Sequence, residues 1–249
     1  MTAAAETIGR VTTARTPYPE AAKALLRETL FGAARDAIQQ RSWSEITMSD
    51  VASAAGVSRQ TLYKEFGSRD EFGQAFVIHE GERFLDVVDA AVLEHRDDPR
   101  AAVGAALETF LRTAGEDPLV RILLSDDGTG GMLPFVTTQG MPVVQWATAR
   151  LTATIEAGWP EAPPAKVKLL AESLVRLAIS YITAPSESPR KTAAQAGELL
   201  GPFIDDALGQ APTNWEKTTQ RHSRETGTDP ADPARAAGGG PRFAQRSRS

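Results

Sequence analysis

From residue 20 to residue 208 the apolar side chains recur at steps of three and four, the period that turns one face of an α-helix toward a core. Leu25, Leu26, Leu30, Phe31, Ala34 and Ile38 predict a first helix from Glu20 to about Arg41. Trp43 and Ile46 follow and are placed to plug a small three-helix core. Phe72, Phe76, Phe84, Val87, Val88 and Ala91 predict a long helix from Glu71 to about His95, capped by Asp70 and interrupted by Gly73 and Gly81. At ~1.5 Å per residue it would extend ~35 Å, enough to join two domains. The pairs Asp98-Pro99 and Asp117-Pro118 read as helix starts. The first opens onto Val103, Leu107, Phe110 and Leu111, the second onto Leu119, Val120, Ile122, Leu123 and Leu124. Another helix spans about Pro142 to Gly158 and is stopped by the prolines at 160, 163 and 164. In the stretch Ala165 to Thr183, Val167, Leu170, Leu174, Leu177, Ala178 and Tyr181 form one stripe, and Val175, Ile179 and Ile182 form a second. A helix apolar on two sides needs cover on two sides. Its own body supplies one, and a second copy of the chain is the economical source of the other. Lys191 to Leu208 adds Leu199, Leu200, Phe203, Ile204, Ala207 and Leu208. Nothing alternates convincingly as a strand, so the expected fold class is all-α.

One stretch, Thr47 to Arg69, carries a more specific message. Thr47 with Asp50 three residues on is a capping pattern, so a helix starts at Met48. Gly56 stands where a helix ends in the left-handed conformation that glycine adopts at little cost. Ser58 can cap a second helix, Arg59 to Phe66, whose Leu62 and Phe66 face inward. Arg59, Gln60, Tyr63 and Lys64 fall on the opposite face, with side chains long enough for base edges and phosphates. This is a helix-turn-helix.

The run TMSDVASAAGVSRQTLYKEFGSRDEF resembles the DNA-binding motif of TetR-family transcriptional regulators. Thr47, Ala55, Gly56, Val57, Ser58, Thr61, Leu62, Tyr63, Phe66, Gly67 and Arg69 match that pattern, while Glu65 stands where an aromatic or histidine is commoner. The resemblance covers roughly residues 20 to 80. It implies an N-terminal helix-turn-helix domain and a larger C-terminal helical domain that binds a ligand and dimerises through its last two large helices. The expected organisation is an arm over residues 1–18, a DNA-binding domain over 19–69, a ligand-binding and dimerisation domain over 70–209 and a tail over 210–249. Arg59 and Gln60 are the leading base readers, since Arg suits guanine and Gln adenine. Thr61 would touch a thymine methyl or a phosphate, Tyr63 and Lys64 the backbone. Ser58 belongs to the same DNA-facing set, and the resemblance makes Thr47 and Arg69 phosphate contacts. It also implies a cavity, with Phe84, Val88, Phe110, Leu123, Phe135 and Trp146 as candidate lining. Leu170, Leu174, Leu177, Tyr181, Phe203 and Ala207 are the candidate dimer contacts.

A net charge of −5 changes the picture only after it is divided along the chain. Residues 1–70 carry 9 basic and 8 acidic side chains, residues 71–209 carry 11 and 20, and residues 210–249 carry 7 and 4. The acidity lies away from the helix-turn-helix, so it does not oppose DNA binding. With no cysteine there is no disulfide, thiolate or zinc finger. His79, His95 and His222 are dispersed, and no nucleophile motif, metal signature or nucleotide loop accompanies them, which argues against an enzyme and implies no cofactor. No apolar run is long enough to span a bilayer, so no membrane partner is expected and a cytoplasmic location fits. Few cationic residues interrupt the apolar stripes, so the expected effector is an apolar or amphipathic small molecule, a fatty acid or other lipid-like compound. The expected function is a homodimeric repressor on a palindromic double-stranded DNA operator, released by that effector. The alternative is a regulator with no small-molecule ligand, run by a protein partner or acting as an activator.

Overall fold

Helix starts in this chain are set by capping side chains and prolines, and the computed structural model shows where each takes hold. It describes residues 17–125 and 131–209. The expected arm before Pro17, the tail from Gln210 and the centre of the glycine-rich loop lie outside the described residues. The helices are α1 (Tyr18–Ile38), α2 (Met48–Ala54), α3 (Arg59–Phe66), α4 (Arg69–Glu94), α5 (Pro99–Glu116), α6 (Pro118–Leu124), α7 (Met141–Gly158), α8 (Pro164–Thr183) and α9 (Pro189–Leu208). Single 3-10 turns at Trp43–Glu45 and Leu133–Phe135 complete the described elements, none of which is a strand. The chain is all-α with an N-terminal helix-turn-helix and a larger helical part. Among the described residues no helix is long and apolar enough to cross a membrane.

Asp98 and Asp117 cap α5 and α6 as expected, accepting from the Ala101 amide at 3.0 Å and the Leu119 amide at 2.8 Å. Three starts come two residues earlier than expected, α1 at Tyr18 rather than Glu20, and those of α4 and α9. The cap of α4 is Ser68, whose hydroxyl accepts from the Glu71 amide at 3.1 Å. Asp70 instead joins Glu71 in the first turn, where negative charge suits the helix dipole. Ser188 caps α9, so that helix begins at Pro189 rather than Lys191.

The described residues form one compact unit with its apolar side chains in two main clusters. The first joins Leu30, Phe31, Ala34 and Ile38 of α1 to Val51, Leu62 and Phe66, and then to Phe72 and Phe76 of α4. It also takes in Leu119, Leu123, Met132 and Phe135, so the head's core extends well past residue 69. The second joins the later half of α4 to α5, α7, α8 and α9 through residues such as Val88, Val103, Leu151, Leu170 and Ile204. Ion pairs tie the helices of this second part together. Arg150 of α7 reaches Asp86 and Asp89 of α4 at 2.8 and 2.6 Å, and Thr154 also donates to Asp89. Hydrogen bonds donated to those carboxylates, Asp86 first, hold the Arg150 guanidinium above its ordinary pKa. Arg100 of α5 pairs with Asp205 of α9 and lowers that carboxyl below its usual value. Ala193, Ala196 and Gly201 keep α9 slim on the face that meets α5; a Cβ at Gly201 would fall 2.9 Å from the Arg100 guanidinium.

The double stripe of α8 has a different explanation from the one expected. Val175, Ile179 and Ile182 line a cavity that Leu174 of the first stripe also reaches, while Val167 and Leu170 are buried in the protomer's own core. The second apolar face therefore looks inward. Leu170, Leu174 and Ala207, expected as dimer contacts, are no more than 6% exposed within a single chain and cannot also face a partner. Leu177, Tyr181 and Phe203 are half-buried. The large apolar side chains that α8 and α9 leave open are Leu169 and Leu199, at 55% and 72% exposure.

Candidate nucleic-acid interface and effector cavity

The helix-turn-helix is assembled by backbone chemistry legible at each joint. Thr47 and Asp50 form a reciprocal capping box: the Thr47 hydroxyl accepts from the Asp50 amide at 3.2 Å, and the Asp50 carboxylate accepts from the Thr47 amide at 2.9 Å. The amide bond to the carboxylate lowers the Asp50 pKa most, a bond donated by the Thr47 hydroxyl to the same carboxylate lowers it further, and Arg41 adds a smaller charge effect. α2 then ends in a Schellman motif. The Val57 amide reaches the Ala52 carbonyl and the Gly56 amide the Ser53 carbonyl, with Gly56 at φ 68°. Any side chain at residue 56 would be strained in that left-handed turn. Ser58 starts α3 by accepting from the Thr61 amide at 3.0 Å.

Leu62 and Phe66 anchor α3 in the core, which leaves Ser58, Arg59, Gln60, Thr61 and Lys64 exposed on the other side, with Thr47 exposed beside them. The Arg59 guanidinium lies 5.2 Å from the centre of the Tyr63 ring, and the half-buried Tyr63 packs against the head's core. Arg69 sits differently from the rest of the expected DNA-facing set. Its guanidinium donates to the Trp43 and Ile46 carbonyls and lies 4.4 Å from the centre of the Trp43 ring. Its demonstrable work is to fasten the α1–α2 connection to the start of α4.

Glu65, the departure from the family pattern, is also accounted for. It accepts from Arg27 at 2.8 Å, lies 3.5 Å from Lys23, and so pins the recognition helix to α1. Arg27 in turn lies over the Phe66 ring at 4.6 Å. The Arg27 charge is thereby paired within the head, while Lys23 remains largely exposed.

The second feature is a cavity of about 160 Å³ between α4, α5, α6, α7 and α8. That is roughly ten times the room a single water needs. Phe84, Val88, Phe110, Leu123 and Trp146 line it as expected. Phe135 does not; its ring lies against Gly73 of α4, 2.6 Å from where a Cβ would be, and is part of the head's core. Trp146 uses the other glycine of α4 in the same way, its ring 3.0 Å from a notional Gly81 Cβ. The two glycines thus admit two aromatic rings close to the α4 backbone.

Among the described residues lining the cavity, Glu80 alone bears a charge. It is 3% exposed. One Arg35 nitrogen donates to both of its carboxylate oxygens, at 2.7 and 2.6 Å. Arg83 stands further off, at 3.9 Å. Since Arg35 belongs to α1, the cavity wall is bonded directly to the DNA-binding head. The stripe reading passed over Glu80, yet the signal was present: positions 72, 76, 80, 84 and 88 recur every four residues, and only position 80 is charged.

An exposed reading face on a capped three-helix head, joined by one long helix to a body with an apolar cavity, defines a helix-turn-helix transcriptional regulator. Comparison with known proteins narrows the class. Residues 30–75 match the family described as "Bacterial regulatory proteins, tetR family", and residues 98–202 match "Bacterial Tetracyclin repressor, C-terminal domain". The chain is 36% identical over 191 residues to the HTH-type transcriptional regulator AlkX of Mycobacterium tuberculosis, covering 77% of this chain and 90% of that one. It is similar to the crystal structure of the TetR-family repressor AlkX from Dietzia sp., implicated in biodegradation of n-alkanes, with 33% identity, a TM-score of 0.62 and coverage of 73% and 96%. A TetR-family regulator from Pectobacterium atrosepticum shares the fold at 20% identity and a TM-score of 0.51, covering 80% and 100%. The chain belongs to the TetR family of transcriptional regulators. Regulators of this family bind DNA operators, function as dimers and are not enzymes.

Proposed function

We propose that this protein is a homodimeric repressor that reads a palindromic operator and is released by a long-chain apolar effector held in the α4–α8 cavity. The observation that carries the reading is the double attachment of α4. Its first half holds Phe72 against Phe66 of the recognition helix and Phe76 against Phe31 of α1, and its second half supplies Phe84, Leu85 and Val88 to the cavity wall. A molecule that reshapes that wall acts on the helix that orients the head. Release requires the effector to favour the non-binding state, by a coupling of typically ~1–3 kcal/mol.

Arg59 and Gln60 read bases, Thr61 contacts a thymine methyl or phosphate, and Thr47, Ser58, Tyr63 and Lys64 hold the backbone. Arg69 contributes chiefly by positioning the α1–α2 connection. The dimer contact centres on Leu169 of α8 and Leu199 of α9, with Leu177, Tyr181 and Phe203 beside them. The apolar lining supports an apolar effector, and the Dietzia relative implicated in n-alkane biodegradation supports a repressor acting near such chemistry.

The test combines selection of bound sequences from genomic DNA with the full chain and titration of the selected complex with decanoate and decyl compounds. Dissociation of a two-fold-symmetric site by at least one of them is expected. Val88→Phe, which puts bulk into the cavity, should leave operator binding intact and abolish the release. Release that persists undiminished in Val88→Phe would place the effector elsewhere.

A further inference from the structure

Among the described residues lining the cavity, Glu80 is the one charged side chain, and its chemistry bears on the head group an effector can carry. Glu80 is 3% exposed, and the other described lining side chains near it, such as Val77, Phe84 and Trp146, are apolar. Its two oxygens receive the same Arg35 nitrogen, so each keeps a further lone pair. The site therefore has acceptor capacity to offer and, on its lining side chains, no charged donor of its own.

We propose that the effector is a straight-chain molecule with a neutral hydrogen-bond-donating head, of the long-chain alcohol class, whose hydroxyl donates to Glu80 while its chain lies among Phe84, Val88, Phe110 and Trp146. This rests on the reading of the cavity as an effector site. A carboxylate head would have to shed its water in an apolar space where Glu80 is already matched by Arg35 and the lining side chains supply no cation to receive a second anion. An ether or alkane head would leave the acceptor capacity unused. A donor placed there also competes for the carboxylate that fastens Arg35 of α1, which gives such a molecule a purchase on the DNA-binding head that a bare chain lacks.

The test compares 1-decanol, decanoate and decyl methyl ether, each titrated into the full-length dimer at pH 8 by calorimetry and by release of operator DNA. The alcohol is expected to bind about tenfold tighter than either of the others, the range of one hydrogen bond to a charged acceptor. In E80Q the advantage of alcohol over ether should shrink by at least about threefold, and decanoate should gain. Decanoate or ether binding as tightly as the alcohol to the unaltered protein would overturn the assignment to Glu80 and leave the apolar cavity standing. Failure of all three to bind would overturn the effector cavity, and this inference with it. The comparison on the unaltered protein needs no variant, so a poorly folded E80Q does not blunt it.

Discussion

The head and the body use the same kind of residue to opposite ends. In the head, Phe31, Phe66, Phe72 and Phe76 meet ring against ring, with Phe31 at 5.5 Å from Phe66 and 5.8 Å from Phe72. The rings fill the space between α1, α3 and α4 and fasten the recognition helix to the other two. In the body, Phe84 and Phe110 meet at 6.4 Å, but they and Trp146 stand around an open space. An aromatic that fills and an aromatic that lines are alike in a helical stripe. They differ in what faces them, which is a property of the assembled fold.

The sharpest way to break that contrast is to truncate one ring from each side. Phe72→Ala removes a fully buried side chain from a packed cluster and should cost about 3–5 kcal/mol of unfolding free energy. Phe84→Ala removes a ring that already has a void on one face and so makes fewer contacts to lose; about 1–2 kcal/mol is expected. Urea unfolding of the two variants checks the order. Equal losses would mean that the cavity closes when the chain is in solution.

Function should divide along the same line. Arg59→Ala leaves the head's core untouched and should cost about 1–3 kcal/mol at one base position, relaxing preference there. Lys64→Ala should weaken all sequences alike and reduce the salt slope by about 1. Selection from random DNA separates the two, and unchanged base preference in Arg59→Ala would remove it from the readers.

How far each region was legible in the sequence follows from the same physics. The capping box at Thr47, the turn at Gly56 and the cap at Ser58 are local chemistry, written within four residues of where they act, and they stand in the structure as expected. Asp70 was misread because Ser68, two residues earlier, also offers an oxygen to the first turn of α4, and local sequence does not rank them. The inward second stripe of α8 was out of reach for a deeper reason. A face covered by a partner and a face left open on a cavity share one pattern, and only the positions of α4, α5 and α7 tell them apart. Phe135 shows the converse: it sits in the head because Gly73 lets it approach α4. Glu80 was legible in principle, as a charge set within an apolar stripe. Its partner was not, since Arg35 lies 45 residues away on another helix.

The smallest expected effect sets a cap in the head against an ion pair in the body. Asp50 and Asp205 both have pKa values below the ordinary Asp value, Asp50 through the Thr47 backbone and hydroxyl, Asp205 through the Arg100 guanidinium. A carboxyl whose folded pKa is depressed stabilises the fold above its unfolded value, about 3.9, and loses that contribution as pH falls through the folded value. Asp50→Ala and Asp205→Ala should therefore each be less stable than the parent at pH 7, and each deficit should shrink below about pH 4. Salt then separates them. The Arg100–Asp205 pair is half exposed and attracts through water, so added salt should erode its deficit. The capping bonds of Asp50 run to a backbone amide and a hydroxyl at contact distance, with Arg41 a minor contributor at 3.6 Å, so its deficit should persist. Thermal unfolding of both variants across pH, at low and high salt, reads the difference; a salt-sensitive Asp50 would mean that Arg41, rather than the cap, holds the start of α2.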